Sequence, residues 1–133
     1  MMAIWSIPTF GIKQLKTLNS NYQNAPTNKI YQVIYNDNIS NLIATEKLVY
    51  SSLIAETEFT QGEIYSMDSR EFHSTIVENN TFAATIVLSR KMDTILPEVI
   101  GDLQGRDIYS YKRIGCNVNQ LKNIIDKLSL QIC

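Results

Sequence analysis

The sequence predicts an α+β domain in which a five-stranded antiparallel sheet is sandwiched by one helix on one face and two on the other. Three observations lead there. Residues 82–89, FAATIVLS, carry no charge and place apolar side chains on both faces of an extended segment; in an antiparallel sheet such a strand is expected to be central and covered on both sides. Segments rich in β-branched and aromatic residues are interleaved with segments whose apolar residues recur every three to four positions. The 133 residues, 44% of them hydrophobic, suffice for one core but not for two ordinary ones, so residues 1–133 read as a single domain.

The elements follow in order. Residues 3–9, AIWSIPT, are short and apolar with a proline near the end, which suits a first strand. Within residues 10–28, Ile12, Leu15 and Leu18 have the spacing of a weak helix and a polar loop follows, so this stretch reads as an insertion in the first hairpin. KIYQVIY, residues 29–35, is β-branched and aromatic and runs into Asn36-Asp37-Asn38, a strand followed by a turn. From Ser40 to Glu56 the apolar positions Leu42, Ile43, Val49, Leu53 and Ile54 fall near one helical stripe, with Asn38 or Ser40 as cap. A short strand begins after Gly62. REFHSTIV and TFAATIVL then read as a hairpin around Glu78-Asn79-Asn80. Ile95, Val99, Ile100 and Leu103, with Pro97 in the first turn and Gly105 at the end, predict a second helix. Residues 117–133 predict the terminal helix. There Val118, Leu121, Ile124, Ile125 and Leu128 form a stripe, and Gln120 stands three residues after Asn117 in capping-box spacing.

Charge and motifs exclude several function classes. Twelve basic residues stand against 13 acidic ones, for a net charge of −1, and no basic face suggests a nucleic-acid backbone as partner. The two cysteines, Cys116 and Cys133, and the single histidine, His73, fit no common zinc spacing and no disulfide framework. GxxxxGK[ST], GxGxxG, HExxH and GxSxG are all missing, so the reading carries no cofactor, no metal and no small-molecule substrate. A catalytic role would have to rest on His73 beside Glu71 or Asp68, or on Cys116; each reads better as a structural polar residue or an inert thiol. The sequons at Asn38 and Asn79 read as turn chemistry. The opening MMAIWSIPTF lacks a basic leader and no 18 apolar residues run together, so a cytosolic, non-enzymatic protein is expected.

One stretch resembles a known family. ISNLIATEKLVYSSL, GEIYSMDSREFHSTIVENNTFAATIVLSRKM and LPEVIGDL, together with the opening MAIW, resemble the longin domain found at the N-terminus of vesicle-type (R-) SNARE proteins. The features shared are Thr45-Glu46 on an apolar helix, Tyr65-Ser66 in a strand, Phe72-His73 opening the next strand, and the polar turn at residues 78–80. The resemblance covers residues 3–9 and 39–104 and implies a longin/profilin-like fold. It further implies an interaction module of vesicle-mediated protein transport that binds a SNARE helix, or a coat or tether protein, at the cytosolic face of endomembranes, its own membrane association being indirect. The partner would dock in a groove lined by Leu42, Val49, Tyr50 and Leu53 of the first helix and by Ile64 and Met67 of an edge strand. An edge strand beside an apolar helix face accepts an added peptide on physical grounds alone. For Leu42, Val49 and Leu53 core burial competes with this role, and Tyr50 and Met67 read equally as groove or core. A scaffold subunit of an adaptor or tether complex, or a profilin-like binding protein, is the alternative. The 3-4-3 spacing of Val118, Leu121, Ile125 and Leu128 also matches the first heptads of a coiled coil, against which the third helix of the domain is the better reading.

Overall fold

The computed structural model describes residues 2–7, 10–19, 25–60, 62–80, 82–89 and 94–132. Among these, the chain runs through β1 (Met2–Ile7), β2 (Phe10–Asn19), β3 (Asn28–Asn36), β4 (Ile39–Phe59), β5 (Ile64–Tyr65), β6 (Phe72–Ile76), β7 (Phe82–Val87), β8 (Glu98–Asp102), β9 (Ile108–Lys112) and α1 (Val118–Ile132). The strands form two antiparallel sheets, one of three strands in the order β5-β1-β7 and one of six in the order β6-β2-β4-β3-β8, with β9 also paired to β4.

The large sheet is organised by β4, whose 21 residues would span about 70 Å if straight, at roughly 3.3 Å per residue. Its first half pairs with β3 on one edge and with β9 on the other, and its second half pairs with β2. Val49 marks the change of partner, pairing with Asn19 of β2 and Asn28 of β3, and it is buried. Thr27 seals the junction: its N–H donates to the Val49 carbonyl at 3.0 Å, and its hydroxyl accepts from Ser51 N–H at 3.0 Å.

Two bulges interrupt β4. Tyr31 faces Ala44 while Lys29 faces Leu48, so residues 45–47 are opposed by Ile30 alone. Thr45 compensates for the broken pairing by donating its hydroxyl to the Ile30 carbonyl at 2.7 Å and accepting from Lys47 N–H at 3.2 Å. Farther on, Gln14 faces Ala55 and Leu15 faces Leu53, so Ile54 is the extra residue. Bulges bend and twist a strand.

Among the described residues, few side chains are fully buried. On the large sheet Ile30, Tyr31, Val33 and Val49 are buried. The Tyr31 ring lies across Gly101 of β8 and its hydroxyl donates to the Arg106 carbonyl at 2.6 Å, while Lys29 Nζ donates to the Gly105 carbonyl at 2.6 Å. These bonds fasten the 103–107 turn onto β3. The small sheet meets the large one at Ile12, which is buried under Phe59, Tyr65, Met67 and Ala83, with the Phe59 and Tyr65 rings stacked at 4.5 Å.

The sandwich of five strands and three helices is overturned. Residues 40–56 form β4 rather than a first helix, and 98–102 form β8 rather than a second. Residues 10–19 are paired strand on both sides rather than helix and loop. In each case the backbone groups are taken up by neighbouring strands, and this tertiary pairing outweighs a helical spacing of apolar residues. Residues 82–87 form an edge strand of the small sheet, not the centre of a large one. The expected hairpin of 71–77 and 82–89 is divided, β6 pairing with β2 and β7 with β1. The strand at 29–35, the turns at Asp37 and Asn80, both with left-handed φ, and the terminal helix all form where the sequence places them. Residues 90–93, just before the expected second helix, lie outside the described residues, as do Pro8 and residues 20–24.

Candidate interaction surface

The residues that could have carried chemistry do not converge. His73, on β6, is exposed, and its Nδ1 lies 3.5 Å from the Glu71 carbonyl oxygen rather than from a carboxylate. The Glu71 carboxylate instead accepts from Asp68 N–H at 3.3 Å. Asp68 is held by Arg70, whose guanidinium donates to both carboxylate oxygens at 3.2 Å. This hydrogen-bonded cation keeps the Asp68 carboxyl below its ordinary range and raises Arg70 in turn. Cys116 is exposed, with Sγ 3.6 Å from the Asn117 carbonyl oxygen. Among the described residues no three His, Cys, Asp or Glu side chains gather as metal ligands do. A shallow depression lined by Asn38, Ile39, Ser110, Tyr111 and Lys112 is open to solvent and contains no acid or thiol.

The six residues expected to line a groove are spread along the sheets. A helix beside an edge strand is not available, because residues 40–56 are strand. Leu42, half-buried, faces Val33 on one side and Tyr109 on the other. Val49 is core. Tyr50 is half-buried opposite Leu18, and Leu53 is exposed opposite Leu15. Ile64 does lie on an edge strand, β5, and is exposed, but it belongs to the small sheet. Met67, partly buried, packs against Ile12 where the two sheets meet.

What the structure does present is apolar surface. Leu53, Ile54, Ile95 and Ile108 are each more than half exposed, and the total accessible surface is 10182 Å². A compact monomer of 15.2 kDa would expose about 7,100 Å². The helix contributes to the excess. It begins with a reciprocal cap, in which Asn117 N–H donates to Gln120 Oε1 at 3.0 Å and Gln120 N–H donates to Asn117 Oδ1 at 2.8 Å. Beyond that cap Val118, Leu121 and Ile125 are exposed. Sequence reasoning assigned this helix to covering a sheet face and so missed the surface; the heptad spacing was the signal that pointed to it. No helix among the described residues is long and apolar enough to cross a membrane.

No protein-family model, no curated protein and no solved structure matches this chain.

Proposed function

We propose that the chain is a non-catalytic protein-interaction module that works as one subunit of a larger protein assembly. The observation that carries this reading is the surface of 10182 Å², about 3,000 Å² above that of a compact chain of this mass. A standard interface takes only about 800 Å² from each partner. Apolar residues distributed over both sheets and the helix supply the material of such interfaces. Asp68, Glu71 and His73 lie close together, but His73 contacts the Glu71 main-chain carbonyl rather than a carboxylate, so they carry no argument for a catalytic reading. A role in vesicle trafficking, with a SNARE helix, coat or tether protein as partner, would add to this reading, and it rests only on the sequence resemblance of residues 3–9 and 39–104.

Crosslinking in native extract, followed by peptide mapping, tests the proposal together with sedimentation of the purified chain. The expected result is crosslinks from lysines of the described residues, such as Lys13, Lys47 or Lys112, to a second copy or another protein. A chain that is monomeric in extract and alone, with the hydrodynamic radius of a compact globule, would sink it.

A further inference from the structure

We propose that α1 pairs in parallel with α1 of a second copy, forming a short two-stranded coiled coil that joins two chains. This rests on the assembly reading and names one of its partners. The seam is written in the register. Val118, Ile125 and Ile132 occupy the a positions and Leu121 and Leu128 the d positions of consecutive heptads, with Ile124 beside them at g. β-branched residues at a with leucine at d favour a parallel pair of helices. A strict three-four alternation is self-complementary, since it presents one identical stripe to an identical stripe.

Other features of the helix point to the same occupant. A helix of 15 residues is marginal in water without tertiary contacts, and the apolar side chains Val118, Leu121, Ile124 and Ile125 of this one are exposed. Its charged residues are Lys122, Asp126 and Lys127, at e, b and c. In a parallel pair Lys122 faces Asn117 of the other chain, so no like charges meet across the seam. A membrane surface fits less well, because the polar face carries an acid among two lysines and α1 has neither tryptophan nor phenylalanine. Two heptads bury less than about 1,200 Å², the weak end of specific interfaces, so weak, concentration-dependent association is expected.

Sedimentation equilibrium of the full chain between about 1 and 200 µM tests the idea, alongside a variant carrying Leu121→Asp and Ile125→Asp and a control carrying Asn123→Asp at the outward f position. Wild type and control should dimerise, and the double variant should associate at least tenfold more weakly. The sheet melting transition should be common to all three, because the substituted side chains are exposed. For orientation, Cys116 is labelled with pyrene in a Cys133→Ser background, where a parallel pair brings the two labels together and gives excimer emission. A wild-type chain that stays monomeric throughout, or that stays monomeric and floats with anionic phospholipid vesicles, overturns the proposal. A double variant that dimerises as wild type does also overturns it, while leaving the assembly reading in place through another surface. A dimer without excimer emission refutes the parallel arrangement.

Discussion

Adding one methyl group at Gly101 should destabilise the domain more than any other single-carbon change on β8. A Cβ built there would stand 2.5 Å from Cδ2 of Tyr31 and closer still to Cε2, well inside van der Waals contact. The ring cannot simply swing away. It is buried, its hydroxyl is tied to the Arg106 carbonyl at 2.6 Å, and the Tyr109 ring lies 5.8 Å off. Overpacking of this kind costs about 1–3 kcal/mol, and a tyrosine forced off its carbonyl acceptor loses about 1 kcal/mol more. The total of about 2–4 kcal/mol is a large share of a typical domain stability of about 5–15 kcal/mol. It should lower the melting midpoint by roughly 10 °C in a chain of this size. Urea denaturation of Gly101→Ala measures it directly. In a Tyr31→Leu background the same substitution should be nearly neutral, because the obstructing ring atoms are gone and alanine restricts the unfolded chain more than glycine does. The two changes should therefore be strongly non-additive. A Gly101→Ala variant within about 0.5 kcal/mol of wild type would show that the ring does not lie over β8 as described.

Thr45→Val keeps the shape of the bulge but removes the hydroxyl that serves the Ile30 carbonyl and Lys47 N–H, and should cost about 1–2 kcal/mol by chemical denaturation. Met67→Glu introduces a charge beside Ile12 where the sheets meet, so its melting midpoint should fall by several degrees; an unchanged midpoint would place that side chain in solvent. Burial raises the Tyr65 hydroxyl pKa above the ordinary phenol value. The neutral phenol's contribution is therefore complete below about pH 10 and is lost as pH rises through the folded-state value. Between about pH 9 and 11 wild type should lose more stability than Tyr65→Phe, and parallel alkaline curves for the two proteins would refute that burial.

The apolar sequence misled in two places for identifiable reasons. Along β4, Leu42, Ile43, Val49, Leu53 and Ile54 do not keep a two-residue alternation, and the strand is interrupted twice, by the bulge at residues 45–47 and by the extra residue Ile54. A period-two signal does not survive such a bulge. Residues 82–89 were expected to be central on the premise that apolar residues must be covered. In the structure Val87, Leu88 and many other apolar side chains remain exposed, so apolarity did not report position. The groove failed with the helix that was to form it.

Sequence alone determined the local elements whose signals are contained in a few adjacent residues. The run KIYQVIY specifies β3, and Asp37 and Asn80 can take the left-handed backbone that their turns require. The reciprocal Asn117 and Gln120 cap starts α1 at its observed residue. Only the tertiary structure decided that residues 39–59 are one continuous strand, that β6 and β7 enter different sheets, and that Met67 packs against Ile12 while the apolar face of α1 is exposed. The physical reason is the range of the interactions. A turn or a cap is satisfied by groups two or three residues away, whereas β4 pairs not only with its hairpin neighbour β3 but also with β2 and with β9, as far off as Lys112 opposite Ile39, and no local pattern records which distant partner that will be.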